Sequence, residues 1–251
     1  DIYAFLSFLS RDRVKNANAA NAKHGLEVSS RARKVATIRS FYKYLVSKAK
    51  LLEDNPIQEL DSPKIRQALP RYLTLDESIQ LLESIDGDNA ERDLCIITLF
   101  LNCGLRISEL VGLDLSDIRG DRLRVLGKGN KERVVYLNAA CQSAIEDWLA
   151  VRSQSGAADP NALFISRRHT RITKDGVHYM LKQRFTAAGL DSSKYSAHKL
   201  RHTAATLMLQ NGVDVRTLQE VLGHDHLNTT QIYTHVDSDA LQNAAQSNPL
   251  G

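Results

Sequence analysis

The chain lacks any run of apolar residues long enough to cross a membrane. The longest such run lies around residues 94–101, whereas a membrane-spanning helix needs about 20 apolar residues. The N-terminus shows no signal-peptide pattern, and the chain begins at Asp1 rather than at Met. We therefore expect no membrane partner, and we expect the N-terminal part to be truncated.

Cysteine is scarce, and the usual metal-binding motifs are missing. The three cysteines, Cys95, Cys103 and Cys141, have neither zinc nor redox spacing, which is typical of a reduced, cytoplasmic protein without structural disulfides. Cys95 and Cys103 lie in an apolar segment and are predicted to pack in a core. The chain contains no H-E-x-x-H sequence, no paired-carboxylate cluster and no Walker sequence. We expect no metal and no cofactor.

Net charge is small but unevenly distributed. The 251 residues carry a formal net charge of +4. Residues 1–60 contain 11 Lys and Arg against 6 Asp and Glu, a net charge of +5, which leaves −1 for the rest of the chain. A basic segment joined to a near-neutral one is typical of a protein that binds a polyanion such as DNA.

The sequence pattern predicts a mainly α-helical protein of two domains. Apolar residues at helical spacing from Ile38 to Val46 predict a helix in a first domain at residues 1–60. Residues 61–70 contain the prolines and charges that are typical of a linker. The second domain, residues 71–251, begins with a predicted capping box at Thr74 and Glu77. Further helices are predicted at about 91–103, 106–112 and 139–153, and between Thr173 and Gly189, Ser196 and Gly212, and Asp214 and Gly223.

Five basic side chains surround the apolar residues of the first predicted helix. They are Arg31, Arg33, Lys34, Arg39 and Lys43. They could be the solvated face of an ordinary amphipathic helix, or they could contact the phosphates of DNA. We interpret them as DNA-binding residues because of the motifs that follow.

Residues 122–137 are predicted to form a β-hairpin. Its arms, Arg122–Leu126 and Glu132–Leu137, flank a turn whose glycines allow positive φ. Lys128 would lie at the exposed tip, where its ammonium group can reach a bound ligand, although in isolation it could equally be a solubilising residue. A short strand is also predicted at Leu163–Ile165.

The last quarter of the chain concentrates side chains suited to phosphodiester chemistry without a metal. His198 precedes Arg201 by three residues, and Tyr233 follows His224 of a Leu-Gly-His segment by nine. Tyrosine becomes a nucleophile when a neighbouring group takes its proton, and the near-neutral pKa of histidine suits that task. The guanidinium fork of arginine can hold two phosphate oxygens and keeps its charge.

Upstream, Arg106 precedes Glu109 by one helical turn. The two could be an ordinary ion pair on one helix face, and we interpret Glu109 as orienting Arg106. His202 could be the proton acceptor instead of His198, but we interpret it as a residue that supports the site from behind. His224 could merely close a helix C-terminus. Other tyrosines compete with Tyr233 without its sequence context: Tyr136, Tyr179 and Tyr195.

Together these elements resemble the tyrosine recombinase (phage integrase) family, and in particular its Xer-like branch. The family pattern is an arginine in a G-L-R-x-S-E-L segment, a hairpin lysine, H-x-x-R, L-G-H and a tyrosine nine residues after that histidine. The resemblance covers essentially the whole chain and is specific from about residue 71 onward. It implies a catalytic set consisting of Arg106, Lys128, His198, Arg201, His224 and Tyr233.

The resemblance implies a site-specific DNA recombinase or integrase that works through a 3′-phosphotyrosyl intermediate and a Holliday junction. Residues 1–60 would be a small helical core-binding bundle, and residues 71–251 an α-rich catalytic domain with a small antiparallel sheet. The implied partner is double-stranded DNA with an inverted-repeat core site. A homotetramer would act on two duplexes, with a monomer or weak oligomer off DNA. The C-terminal tail would dock onto the neighbouring protomer.

Two other functions remain open from the sequence. A type IB topoisomerase shares this chemistry but reseals the same strand. A DNA-binding module could use the same fold without cutting, although the complete set of Arg, Lys, His, Arg and Tyr argues against it.

Overall fold

The computed structural model describes residues 2–11, 13–15, 23–63, 72–154, 156–223 and 243–250. The chain divides into two compact units, Asp1–Leu69 and Pro70–Gly251. The predicted fold class, mainly α with a small antiparallel sheet, is confirmed. Within the described ranges, no helix is both long and apolar enough to cross a membrane.

The described part of the first unit contains two helices, α1 (Ile2–Arg11) and α2 (Val28–Ser47). Two short antiparallel strands lie between them in the chain, β1 (Val14–Lys15) and β2 (Lys23–His24). A small apolar cluster holds this unit together. It consists of buried Val35, Ile57 and Leu60 with the partly buried Ile2, Leu6, Ile38 and Tyr42.

The second unit places helices around a three-stranded sheet. Its described helices are α3 (Leu75–Glu83), α4 (Ala90–Cys103), α5 (Ile107–Gly112), α6 (Ala139–Ser153), α7 (Lys174–Ala187), α8 (Ala197–Gln210) and α9 (Val215–Leu222). Its strands are β3 (Ile118–Arg119), β4 (Arg122–Leu126) and β5 (Glu132–Tyr136), in the order β3-β4-β5.

Helix α4 forms the centre of the second unit. It packs against both α6 and α8, and nearly all of its side chains are buried, as expected of a helix that is covered on every face. Cys95 and Cys103 lie on it with free, buried thiols, which confirms their predicted place in a core. The Sγ of Cys103 is 3.8 Å from that of Cys141 on α6.

Several helices begin where the sequence predicts a cap. The capping box of α3 is formed, with the Thr74 hydroxyl accepting from Glu77 N (3.1 Å) and the Glu77 carboxylate accepting from Thr74 N (2.8 Å). Thr173 accepts from Gly176 N at the start of α7 (3.1 Å), and Asp214 accepts from Thr217 N at the start of α9 (3.1 Å). These side chains satisfy amide groups that the first helical turn leaves unpaired.

The predicted hairpin is formed by β4 and β5, and β3 extends it. Leu123 pairs with Val135 and Val125 with Arg133, and these positions face inward. A short 3₁₀ turn, Lys128–Asn130, forms the tip. The strand predicted at Leu163–Ile165 is wrong, because this segment makes only isolated bridges, such as Ile165 with Arg171.

The end of the chain packs on its own second unit. Ala244, Ala245 and Asn248 are buried, and Asn248 Nδ2 donates to Leu101 O at the end of α4 (3.0 Å). Asn138 Nδ2 donates to Ala245 O (3.4 Å). Residues 243–250 are therefore buried by contacts within the chain itself, and docking of the C-terminal tail onto a neighbouring protomer stays a prediction.

Candidate active site

The side chain of Glu109 lies at the centre of the site. It projects from the first turn of α5 and is only 2% exposed. Its Oε2 accepts from the backbone N of Arg106 (2.8 Å), and its Oε1 accepts from Arg106 Nη1 (2.7 Å). A glutamate at this helix position can pair with the amide that precedes the helix. Both the backbone and the guanidinium of Arg106 are therefore fixed by one carboxylate.

Two further guanidinium groups converge on the same carboxylate. Arg133, on β5, donates from Nη1 to Oε1 (2.8 Å) and from Nη2 to Oε2 (2.9 Å) of Glu109. Arg201, on α8, places its Nη1 at 3.9 Å from Oε2. Three positive charges thus surround one buried negative charge, which leaves an excess of two positive charges.

The same three arginines bind the C-terminal carbonyl groups of α9. Val221 O accepts from Arg133 Nε (3.0 Å). Leu222 O accepts from Arg201 Nη2 (2.6 Å), and Gly223 O accepts from Arg106 Nη2 (2.8 Å). The last carbonyls of a helix lack partners within it and carry its negative dipole end, so cations stabilise them. This arrangement orients the backbone that leads directly to residue 224.

Two glycines permit this close packing. Gly104 ends α4 with φ of +58°, and its carbonyl accepts from Arg201 Nη1 (2.5 Å). A Cβ on Gly104 would lie 2.5 Å from Leu222 Cδ2. Gly223 has φ of +63°, and a Cβ there would lie 3.0 Å from Arg133 Cδ. A larger residue at either position would be strained by the positive φ and would force the side chain of Leu222 or of Arg133 to shift.

The electrostatics of this arginine cluster (Arg106, Arg133 and Arg201 around Glu109) favour a bound anion. Burial lowers the pKa of Arg201 to about 10, and repulsion from Arg106 and Arg133 adds to this effect. Arg201 still carries its charge at neutral pH. Burial alone would raise the pKa of Glu109, but hydrogen bonds from Arg133 and from the Arg106 backbone outweigh it and lower that pKa below its ordinary value. Glu109 therefore stabilises the fold at neutral pH and stops doing so as acid protonates it.

Glu109→Gln is expected to lower the free energy of unfolding by about 3–5 kcal/mol, because it leaves buried guanidinium groups without their anionic partner. Urea unfolding would measure the loss. Glu132→Gln is the matched control, since Glu132 forms an exposed pair with Arg124 and should contribute less than about 1 kcal/mol. Equal losses for the two variants would contradict this account of the cluster.

Helix α8 presents two histidines in different surroundings. His198 lies exposed in the first turn, on the same helix as Arg201. His202, one turn later, is half-buried and packs edge-to-face on Tyr72, with ring centroids 5.9 Å apart. Burial lowers the pKa of His202, and the neighbouring Lys199 and His198 lower it further. His198 is therefore the histidine of this pair that is accessible to a substrate.

The structure brings together some of the predicted site residues and does not describe the others. Arg106, Glu109 and Arg201 meet in the arginine cluster. His224, Tyr233 and the side chain of Lys128 lie outside the described residues. The hairpin backbone that carries Lys128 is closed by a hydrogen bond from Gly127 N to Lys131 O (2.7 Å).

The residue of this cluster that sequence reasoning missed is Arg133. The sequence could have indicated this role, because side chains alternate between the two faces of a strand. Arg133 therefore shares a face with Val135, which is buried. A charged residue at an inward strand position requires a buried partner. That partner, Glu109, lies 24 residues earlier in the chain.

The predicted DNA-binding side chains lie along α2 in the first unit. Arg33 and Lys43 are exposed, whereas Arg31, Lys34 and Arg39 are half-buried. The Nη2 of Arg39 donates to Leu60 O, so Arg39 also supports the fold of this unit. Elsewhere in the described chain, no group of three or more His, Cys, Asp or Glu side chains is placed to hold a metal ion.

The mainly helical second unit with its small antiparallel sheet has the fold of a tyrosine recombinase catalytic domain, and the family comparison agrees. Residues 71–239 match the model of the phage integrase family, and the chain belongs to this family. The chain is 55% identical over 251 residues to the tyrosine recombinase XerC of Caldanaerobacter subterraneus subsp. tengcongensis, covering 100% of this chain and 68% of that protein.

Solved structures show the same likeness. A crystal structure of XerA recombinase is 29% identical with a TM-score of 0.59, covering 99% of this chain and 82% of that one. A crystal structure of XerH site-specific recombinase bound to a palindromic difH substrate is 27% identical with a TM-score of 0.68. The match covers 88% of this chain and 67% of the XerH chain. The predicted resemblance to Xer-like tyrosine recombinases and the predicted class of enzyme, a tyrosine site-specific recombinase, are confirmed. The two alternatives, a type IB topoisomerase and a non-catalytic DNA-binding module, are not favoured.

Proposed function

We propose that this tyrosine site-specific recombinase cuts and rejoins DNA through a 3′-phosphotyrosyl intermediate formed by Tyr233. The observation that carries the proposal is the arginine cluster, with its excess of two positive charges beside the segment that leads to His224 and Tyr233. The scissile phosphate is the anion that this cluster would bind, and its charge grows in the transition state.

Arg106 and Arg201 hold the non-bridging oxygens of that phosphate. The Arg106 side chain is 34% exposed, so it is open to a ligand. Arg201 is more buried, but its hydrogen bonds to Gly104 O and Leu222 O use two of the five N–H groups of a guanidinium. Since both side chains are anchored before DNA binds, little reorganisation is needed in the transition state.

Proton transfers complete the reaction. His198 takes the proton of the Tyr233 hydroxyl as its oxygen attacks phosphorus in line. Lys128 protonates the 5′-oxygen that leaves, and His224 donates a hydrogen bond to a phosphate oxygen. The bond energy is retained in the phosphotyrosine, so the 5′-hydroxyl of another strand can reverse the steps without ATP. Two rounds of this exchange proceed through a Holliday junction.

The partner in this proposal is double-stranded DNA with an inverted-repeat core site. XerH, which this chain resembles, was crystallised on a palindromic substrate. The first unit would act as the core-binding domain through its basic helix α2, and the second unit as the catalytic domain. A homotetramer would hold two duplexes, with a monomer or weak oligomer off DNA. Reduced, buried cysteines suit action in the cytoplasm.

The experiment that tests this function places two copies of a candidate site on one supercoiled plasmid. Exchange of the segment between the sites supports the proposal, and a nicked duplex of the same site should trap a covalent adduct. Relaxation of supercoils without exchange would instead favour a topoisomerase. Binding with no adduct would favour a non-catalytic module.

Replacing Arg33, Lys34 and Lys43 by Ala is expected to weaken DNA binding and to flatten its salt dependence. Each phosphate that the variant no longer neutralises lowers the slope of log K against log salt by about 0.9. Binding titrations at several salt concentrations measure this slope. Lys48→Ala, just beyond the end of α2, is the control for removal of charge alone. A slope unchanged from the wild-type value would show that these side chains of α2 do not contact DNA phosphates.

A further inference from the structure

The side chain of Arg133 joins three parts of the second unit. Its backbone belongs to β5, the strand that returns from the hairpin tip. Its two Nη atoms bind both oxygens of Glu109 on α5 (2.8 and 2.9 Å). Its Nε binds Val221 O at the end of α9 (3.0 Å). These contacts together require an arginine, because they use the planar fork of the guanidinium.

The hairpin tip lies next to this arginine. A Cβ on Gly127, the residue before Lys128, would lie 3.8 Å from Arg133 Nη1 and 3.8 Å from Glu109 Oε1. The Gly127 amide is bonded to Lys131 O (2.7 Å), two residues before Arg133. The base of the turn that carries Lys128 therefore lies beside the carboxylate that also fixes Arg106.

We propose that Arg133 is a positioning residue that holds the Lys128 hairpin in register with Arg106 and Arg201, an inference that rests on the proposed function. Its side chain is only 13% exposed, against 34% for that of Arg106. All three of its guanidinium nitrogens already donate to Glu109 or to Val221 O, so Arg133 acts through these neighbours and not on the phosphate. Without these bonds the hairpin tip is free to move, and the proton donor is displaced from the leaving oxygen.

This role predicts a particular kind of defect. A catalytic group misplaced by about 1 Å can slow a reaction by about 100-fold, whereas the DNA-binding surface is unchanged. Arg133→Lys is the informative variant, because it keeps a positive charge beside Glu109 but cannot span both carboxylate oxygens and the carbonyl. We expect its single-turnover cleavage to be about 10- to 100-fold slower, with DNA affinity close to that of the wild-type protein.

The decisive readout is a substrate in which sulfur replaces the bridging 5′-oxygen. A thiolate leaves without a proton, so this substrate bypasses the hairpin lysine. If Arg133 positions Lys128, sulfur should restore most of the cleavage rate of Arg133→Lys, as it should for Lys128→Ala. Arg124→Lys, on the adjacent strand and paired with Asp117 and Glu132, is the control and should cleave at the wild-type rate. Wild-type cleavage by Arg133→Lys, or a slow rate that sulfur leaves unchanged, would overturn the proposal.

A second measurement separates this proposal from the proposed function and from misfolding. Amide hydrogen exchange should become faster at residues 126–132 in Arg133→Lys, while α4 stays protected as in the wild-type protein. If the wild-type protein forms no DNA adduct, the proposed function fails, yet faster exchange at the hairpin still supports the positioning contact. Unchanged exchange at the hairpin would refute it, whatever the enzyme does.

Discussion

Tyr233→Phe is expected to bind its specific DNA site with wild-type affinity and to form no covalent adduct with it. The substitution removes one oxygen and keeps the aromatic ring, so contacts that depend on the ring's surface persist. The atom that attacks phosphorus is removed, and the arginine cluster stabilises charge but supplies no nucleophile. The measurement uses a duplex that is nicked shortly after the scissile phosphate, so that the short fragment bearing the free 5′-hydroxyl diffuses away after cleavage. The trapped adduct is then counted on a denaturing gel.

A second tyrosine provides the matched control for this experiment. Tyr179 on α7 is 64% exposed, and its Oη accepts from Gln183 Nε2 (2.9 Å). Tyr179→Phe should therefore form adduct at the wild-type rate. Tyr195 donates its hydroxyl proton to Glu77 Oε1 (3.2 Å), a contact that serves the packing of α3. Adduct formation at a normal level by Tyr233→Phe would show that another tyrosine is the nucleophile.

Local signals made much of the fold predictable. A side chain such as Thr173 or Asp214 caps a helix through amides two or three residues away, so the information lies within one turn of the chain. The glycine that ends α9, Gly223, marks its own position because it needs positive φ. The hairpin was predictable for the same reason, since its strands alternate around a glycine-containing turn.

Contacts between distant segments were not predictable in the same way. The bond from Arg106 to Gly223 O spans 117 residues, and that from Asn248 to Leu101 O spans 147. Neither is visible in a periodic pattern, because a single side chain reaches a backbone carbonyl. The predicted strand at Leu163–Ile165 fails for a related reason. Its apolar residues are buried by the surrounding core, and a short apolar run does not distinguish a strand from other buried segments.

The arginine cluster also explains how motifs far apart in the sequence act as one site. Arg106, Arg133 and Arg201 come from three different elements, and each donates to the carbonyl end of α9 as well as lying at or near Glu109. A family motif such as Leu-Gly-His therefore includes two residues whose backbone is bound by arginines. In the proposed mechanism the histidine of this motif acts on the phosphate, while the backbone of the two residues before it is held by Arg201 and Arg106.

Lys128→Ala is expected to slow DNA cleavage by about 10²–10⁴-fold, the usual contribution of general-acid catalysis, and to leave DNA binding nearly intact. A 5′-alkoxide is a poor leaving group, because its conjugate acid has a pKa far above neutral. The positive charges of Arg106 and Arg201 favour loss of a proton from a lysine brought close to them, which suits proton donation. Single-turnover cleavage of an all-oxygen duplex measures the effect.

Replacing the bridging 5′-oxygen by sulfur should remove most of the Lys128→Ala defect, since a thiolate leaves without a proton. Arg106→Ala and Arg201→Ala should show no comparable rescue, because those side chains act on the charge of the non-bridging oxygens. Lys131→Ala is the matched control, since it removes the same charge from the other end of the turn. The backbone carbonyl of Lys131 accepts a hydrogen bond from Gly127 N (2.7 Å). If sulfur rescues Lys131→Ala and not Lys128→Ala, the general acid is Lys131. If sulfur rescues neither, the leaving oxygen takes its proton from outside this hairpin.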